Sequence, residues 1–324
     1  MKPHAYTDAE WQRMIDEARD SYRISDLVSR RTDLKRAGRE LVGLCLFHEE
    51  HTPSMRVNDA KGTYHCFGCG ATGGIINFVM RSEGLRFFDA VHWLRRADLP
   101  VISAAERVKA AEEDAADRAR AVADALALWN RCGDPVGTPA EVYARSRGIT
   151  IPLPPSIRFG NVPAWRDRDT DEWTKDIPAM VCAGVDAEGY LVAIQRIFLR
   201  NGGKAKAAMK KPKLTLGRIR GAALRLGPPQ PEVIVCEGPE DGLSLMQELA
   251  GASVWVSFGT ALMADIEYPP EVRRVTLAGD NNPAGRAAIA RAAEELSLRG
   301  MSVKTMFPAP EFEDWNDQLR GVRI

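Results

Sequence analysis

The sequence carries no net charge. Lys and Arg number 44 and Asp and Glu number 44 over 324 residues, so no global basic field points to a polyanionic partner. Any such partner must be read from local clustering. No run of about 18 apolar residues occurs, and a membrane span is therefore not expected. The opening residues MKPHAYTDAEW are polar and lack the apolar segment of a secretory signal. Six cysteines are too sparse for a disulfide scaffold in a chain of this length, and a reducing cytoplasm is the expected location. No G-x-x-x-x-G-K-[ST] run occurs, so no P-loop motor is expected within the chain. Apolar mass is not lacking: 45% hydrophobic and 27% charged residues exclude a wholly disordered chain. The length suits two domains with a connector.

The fold class expected is an α/β multidomain chain, with four segments. Residues 1–100 form a module of helices and short strands. Thr7 and Glu10 make a capping box for a helix with Trp11, Met14, Ile15 and Ala18 on one face. A second short helix is expected over 24–30, strands and turns over 40–64, a helix after Gly73-Gly74, and another with Phe87, Val91 and Leu94 in helical spacing. Residues 101–135, rich in alanine and charge, read as a helical connector that docks only at its far end, where Val122, Leu126 and Trp129 recur. A coiled-coil surface would need sustained heptads, which are missing. Residues 136–229 open a second domain with strands at 180–184 and 191–199. Residues 230–324 alternate the apolar strands VIVC, VWVSF, VTLA and SVKTM with helical patterns, the mark of a parallel sheet covered on both faces.

Two motifs carry chemistry. Cys45-Leu-Phe-His48 and Cys66-Phe-Gly-Cys69 are x₂ pairs, each able to grip one ion from a tight turn, and together they form a closed Cys₃His shell. Such a shell leaves no open position and implies structural zinc. His51 and His65 complete no x₂ pair and read as solvated histidines. Gly68 and Gly70 are expected to lend the knuckle its backbone freedom. Cys132, Cys182 and Cys236 stand alone and read as small buried residues.

The second motif is three acidic turns, each following a strand: Glu237-Gly-Pro-Glu-Asp241, Asp280-Asn-Asn282-Pro-Ala-Gly285, and Glu313-Asp314-Trp-Asn-Asp317. Acidic residues routinely cap helices, and one such turn alone would mean no more than that. Three in order along one parallel sheet place hard oxygen ligands at the edge where open α/β sheets bind ligands, and suit Mg²⁺. Upstream, residues 200–225 hold nine Lys or Arg and no acid, a local footprint for phosphate backbone or, more blandly, a solvated basic face.

The stretch from Gly38 to Phe78, with its Cys-x-x-His, Thr-Pro-Ser and Tyr-x-Cys-Phe-x-Cys-Gly elements, resembles the CHC2-type zinc-binding domain of DnaG-like bacterial and phage DNA primases. It departs in Leu46, where proline is usual, and Gly74, where aspartate is common. The acidic turns resemble the Toprim pattern, Glu-Gly-x-x-Asp followed by Asp-x-Asp-x-x-Gly and a late aspartate. Glu237, Asp241, Asp280 and Gly285 match; Asp314 is taken as the late aspartate, with Asp317 beside it; Asn282 stands where the family has its second Asp. The stretch from GTPAEVYARSRGI (137–149) through LVAIQRIFL (191–199) to KLTLGRIRGAALRL (213–226) resembles the variant in phage and other mobile-element primase-like proteins.

These resemblances imply a primase that copies single-stranded DNA into short RNA primers from ribonucleoside triphosphates. Structural Zn²⁺ would be held by Cys45, His48, Cys66 and Cys69, and catalytic Mg²⁺ or Mn²⁺ by Glu237, Asp280 and Asn282, with Asp241 and Asp314 close by. Arg196, Lys204, Lys211 and Lys213 are the expected substrate-binding cations. A replicative helicase, where one is used, is expected on a separate chain. Asn282 also keeps open a catalytically weak single-stranded DNA-binding protein, and a Toprim nuclease is the remaining alternative.

Overall fold

The computed structural model describes residues 6–38, 40–167 and 170–324; the polar opening residues 1–5 lie outside them. The chain divides into two compact units, Met1–Asp117 and Arg118–Ile324.

The first unit begins with α1 (Asp8–Asp20), capped as expected: the Thr7 hydroxyl accepts from Glu10 N–H at 3.3 Å, and Thr7 N–H donates to Glu10 at 2.8 Å. Then come α2 (Ile24–Val28), β1 (Lys35–Ala37), β2 (Glu40–Gly43), β3 (Met55–Asn58), β4 (Thr63–Cys66), β5 (Thr72–Gly74), α3 (Ile75–Ser82) and α4 (Phe87–Arg95). The five strands form one antiparallel meander in chain order. Its apolar face (Met55, Val57, Tyr64) packs with Ile24 of α2, Phe78 and Val79 of α3, and Leu94 of α4. Gly74, having no side chain, precedes α3 without a side-chain cap.

The expected connector is a single helix, α5 (Ala104–Asn130), and the division between units falls inside it. Its far end is buried through Ala125, Leu128 and Trp129, against Val162, Val181 and Phe198. Leu126 is 44% exposed, so that part of the expected docking face belongs to solvent. The near end is also anchored, since the Arg107 guanidinium reaches the Asp20 and Ile102 carbonyls. Docking at the far end alone was therefore too simple.

The second unit holds α6 (Pro139–Ser146), β6 (Ile157–Val162), β7 (Ile177–Val185), β8 (Leu191–Arg200), β9 (Ala205–Lys206), β10 (Lys213–Gly217), β11 (Leu224–Leu226), β12 (Glu232–Cys236), α7 (Pro239–Glu248), β13 (Val254–Val256), β14 (Arg274–Ala278), α8 (Pro283–Leu298), β15 (Ser302–Met306) and α9 (Trp315–Arg320). An antiparallel sheet runs β10-β8-β7-β6, with β9 on β8. A second sheet runs β11-β13-β12-β14-β15, parallel throughout except for β11. The strand alternation puts Val233, Val235, Trp255, Val275 and Leu277 against Ile289, Ala292 and Leu296 of α8. Cys236, Val254, Val256 and Ala278 face Leu243 and Leu245 of α7. Both faces are covered, as a parallel sheet requires. The second core also takes in Tyr143 of α6 and Met180 and Cys182 of β7, so residues 136–229 and 230–324 share a hydrophobic core rather than folding as two bodies.

Chain order fixes the functional edge. After β12 the chain crosses to β13 on one side, then returns to β14 on the other. The carboxyl ends of β12 and β14 therefore flank the switch point, where a crevice opens in sheets of this kind.

Candidate functional site

The metal knuckle lies in the first unit. Cys45 follows β2, Cys66 ends β4, and Cys69 closes the turn after it. One ligand atom from each of Cys45, His48, Cys66 and Cys69 lies within 4.8 Å of every other. The Cys45 and Cys69 sulfurs are 3.9 Å apart, and Cys66 Sγ is 3.8 Å from His48 Nδ1. A tetrahedral ion with Zn–S bonds of about 2.3 Å needs edges of about 3.8 Å, so this donor set fits Zn²⁺ in both chemistry and size.

With Nδ1 toward the sulfurs, His48 turns Nε2 to Glu50 Oε2 at 3.2 Å, the carboxylate–histidine pairing that fixes a metal-bound imidazole. Glu50 also accepts from Cys45 N–H at 2.7 Å and from Ser54 N–H at 3.1 Å. Burial pushes its carboxyl up, but the hydrogen bonds from Ser54 and Cys45 win and hold it below the usual range. Phe47 and Gly68 N–H groups point at the Cys45 and Cys66 sulfurs, each at 3.3 Å. Gly68 is needed for space rather than for backbone freedom, since a Cβ there would sit 2.5 Å from His48 Nε2. His51 is exposed, whereas His65 is half-buried and packs edge-on to Phe67 at 4.5 Å, not free in solvent.

The carboxylate site is in the second unit. Glu237 is the first residue past β12, Asp280 lies two past β14, Asp241 stands in the first turn of α7, and Asp314 caps α9. Burial first, then the negative charges of Glu237, Asp314 and Glu313, push Asp280 up to about 7. Asp241 is raised well above the carboxylate range by burial and by Asp314, Asp280 and Glu240. Four carboxylates thus crowd one crevice. They converge less tightly than the cysteine quartet, which among the described residues is the group brought within ligand distance. The oxygen donors fit an ion such as Mg²⁺, which binds through one or two carboxylates and keeps several waters.

Three asparagines build this edge. Asn281 donates its side-chain amide to the Pro308, Ala309 and Phe312 carbonyls at 3.0, 3.0 and 2.8 Å, tying the turn after β14 to the turn carrying Asp314. Asn282 caps α8, its Oδ1 accepting from Gly285 N–H at 2.8 Å. A Cβ at Gly285 would lie 2.9 Å from the Asp280 carbonyl oxygen, so only glycine lets α8 start this close to Asp280. Asn316 is fully buried and donates its backbone N–H to Asp241 at 3.2 Å and its amide to Ser244 at 3.0 Å and to the Arg147 carbonyl at 2.8 Å. Of the two late aspartates, Asp314 faces Asp241 and Asp280, while Asp317 pairs with Arg320 at 3.6 Å.

The basic segment differs most from expectation. Arg196 is only 2% exposed inside β8; its guanidinium donates to the Pro163 and Thr215 carbonyls at 2.6 and 3.4 Å, and burial lowers it to about 10. It is a core residue and cannot reach a phosphate backbone. Lys213 and Lys206 both pair with Glu240 at 2.9 Å, and the Tyr143 hydroxyl donates to the same carboxylate at 2.7 Å. Burial acts to raise Glu240, yet the two ammonium groups hold it far below the carboxylate range. Lys213, half-buried, thus belongs to a clamp on the buried Glu240 beside the carboxylates rather than to an open basic face. Arg218 and Arg220 pair with Asp186 and Asp265, and Arg225 lies 4.3 Å over the Trp255 ring. Arg200, Lys204, Lys210 and Lys211 are exposed.

Glu240 lies within the acidic motif itself, but nothing in the sequence distinguishes a clamp residue from a metal ligand. Its partners come from up to 97 positions away. Because the carboxylate is buried, Glu240→Ala strands two lysines and a phenol. We expect a loss of about 3 kcal/mol, the low end for a buried pair since both lysines keep contact with water. Urea unfolding of the full chain, followed through the second unit's transition, measures it, and a change under 1 kcal/mol would make the clamp energetically idle.

Comparison with known proteins matches residues 10–109 to the CHC2 zinc finger, 119–226 to a domain of unknown function (DUF7146), and 232–322 to the Toprim domain. A DNA primase of Geobacillus stearothermophilus is 29% identical over 331 residues, covering 90% of this chain and 55% of that protein. One of Enterococcus faecalis is 33% identical over 166 residues, covering 48% of this chain and 26% of that protein. The chain therefore spans from about a quarter to about half the length of these relatives. Among solved structures, the Aquifex aeolicus primase (zinc binding and RNA polymerase domains) is similar with a TM-score of 0.41 at 21% identity, covering 95% of this chain and 82% of that chain. Among the described residues, no helix is long and apolar enough to cross a membrane.

Proposed function

We propose that this chain, a DnaG-like primase in its CHC2 zinc finger and Toprim domain, copies single-stranded DNA into short RNA primers from ribonucleoside triphosphates. The observation that carries the reading is the crowding of Glu237, Asp241, Asp280 and Asp314 at the switch point of the parallel sheet. Glu237 and Asp280 would hold Mg²⁺ or Mn²⁺, with Asn282 adding a neutral oxygen. A bound divalent ion would supply positive charge to the α-phosphate, the primer 3′-hydroxyl and the leaving pyrophosphate. Asp314 adds to the negative charge that makes the crevice a cation site, and Asp241, anchored by Asn316, is a carboxyl whose ionisation a bound cation would favour. Lys213, held by Glu240, sets a positive charge beside it on the side the basic segment occupies. The zinc module would engage template, and a helicase would come from a separate chain.

Incubating the zinc-loaded protein with single-stranded DNA, labelled ribonucleotides and Mg²⁺ or Mn²⁺ tests the reading. Short new RNA is expected. Shortened DNA, or intact DNA with no RNA under either ion, overturns it.

The exposed cations Lys204, Lys210 and Lys211 are the proposed backbone contacts. Each phosphate contact on a single strand contributes about 0.7 to the log–log salt slope. The triple alanine variant should flatten that slope by about two units in fluorescence-anisotropy titrations across NaCl concentration. An unchanged slope would leave these lysines as a solvated face.

A further inference from the structure

The loop after β13 is tied to the carboxylate site by a contact that neither the acidic motif nor the basic segment explains. The Thr260 hydroxyl donates to Glu237 Oε2. Three features fix the backbone that delivers it. Ser257 N–H donates to the Cys236 carbonyl at 3.0 Å, and the Ser257 hydroxyl reaches the Cys236 and Gly259 carbonyls at 3.2 and 3.0 Å. Phe258 takes a left-handed conformation, φ 63°, that non-glycine residues adopt rarely and mostly where surrounding structure compels it. What compels it is its ring, 9% exposed and packed toward β7, where a Cβ at Gly184 would stand 3.1 Å from the Phe258 ring. Beyond Thr260, Met263 and Ile266 are each 1% exposed and pin the segment to the core. A bend anchored at both ends thus points one hydroxyl at one oxygen of the carboxylate that ends β12.

We propose that Thr260 is a positioning residue for Glu237. Its hydroxyl occupies Oε2, fixes the carboxylate plane, and leaves Oε1 presented to the divalent ion. The inference rests on the reading of Glu237 as a metal ligand. Hydrogen bonding to a ligating carboxylate is worth about 10- to 100-fold in metal affinity when lost.

Thr260→Val removes the donor at nearly constant volume, and Thr260→Ser restores it without the methyl. Mn²⁺ binding to the zinc-loaded full chain, followed by electron paramagnetic resonance of the free ion, is the primary readout. Thr260→Val should weaken Mn²⁺ binding by about tenfold; Thr260→Ser should return to within about twofold of wild type, with the same melting temperature in all three. In primer synthesis, Thr260→Val should need more Mg²⁺ yet approach the wild-type rate at saturation. Thr260→Val binding Mn²⁺ as tightly as wild type, or Thr260→Ser failing like Thr260→Val, overturns the proposal; the second result would assign the effect to packing. Glu237→Gln runs beside them: a wild type that binds Mn²⁺ no better than Glu237→Gln removes the metal site and the proposal together. Loss of the Thr260 effect alone leaves the metal site standing.

Discussion

Chelation of zinc is expected to unfold the first unit while the second keeps its own melting transition. The five strands there are three or four residues each, too short to stand as a sheet without added constraint. The knuckle supplies that constraint by joining the segment after β2 to the end of β4 and the turn beyond it. Cys66 is fully buried and Cys45 nearly so, both within the core that packs α1 to α4 on the meander. Losing the ion therefore leaves the Cys45 and Cys66 thiols unpaired inside the packing, with His48 and Cys69 at its edge. Zinc binding in small modules is worth on the order of 10–16 kcal/mol apparent, more than the whole stability of most domains. Metal analysis should give one zinc per chain. Cys69→Ser should lose it and abolish the first unit's transition, although Cys69 is exposed and the substitution removes almost no buried surface. A protein purified without zinc, or a Cys69→Ser variant that keeps the metal and melts unchanged, would sink this expectation.

How much of this was legible in the sequence depends on the range of the interaction. The zinc ligands sit in two local turns whose spacing is itself the chemistry, so Cys45, His48, Cys66 and Cys69 could be named without any tertiary knowledge. The acidic turns were legible for a related reason. Short apolar strands ending in carboxylates dictate a parallel sheet with its acids on one edge, and the structure puts Glu237, Asp241, Asp280 and Asp314 there. The basic segment was not legible, because a charge in a sequence does not reveal its partner. Glu240 lies 27 residues from Lys213, and Asp186 lies 32 from Arg218. Arg196 is the instructive case: its charge suggests a phosphate contact, but its neighbours Ile194, Ile197 and Phe198 make β8 a buried strand, and the apolar run outweighs the single charge. Asn281, Asn316 and Thr260 were missed because neutral amides and hydroxyls leave no charge pattern at all. Their role lies in joining turns from separate strands, which only the assembled sheet brings together.

Asp280→Asn is expected to reduce primer synthesis by on the order of 10²–10³-fold while sparing single-stranded DNA binding. A metal ion that polarises phosphoryl oxygen is worth several kcal/mol of barrier, and each 1.36 kcal/mol is a factor of ten in rate. The substitution keeps shape and relieves the burial penalty and then the repulsion from Glu237, Asp314 and Glu313 that push Asp280 up, so the fold should be stable or slightly stabilised. A loss of activity therefore cannot be assigned to unfolding, and a thermal melt run beside the assay checks this. Asn282→Asp makes the complementary test. Asn282 caps α8 through Gly285 N–H, and aspartate caps as well as asparagine does, so the helix start survives while the site gains a negative charge. Affinity for hard cations rises with ligand charge. Asn282→Asp should therefore reach half-maximal synthesis at lower Mg²⁺, and the wild type should work better with Mn²⁺, which N/O ligands bind more tightly than Mg²⁺. The pair of variants separates two failures. Synthesis absent from wild type and Asp280→Asn but present in Asn282→Asp would mean a site one charge short of catalysis. Undiminished synthesis by Asp280→Asn would mean that the divalent ion is held somewhere other than the ends of β12 and β14.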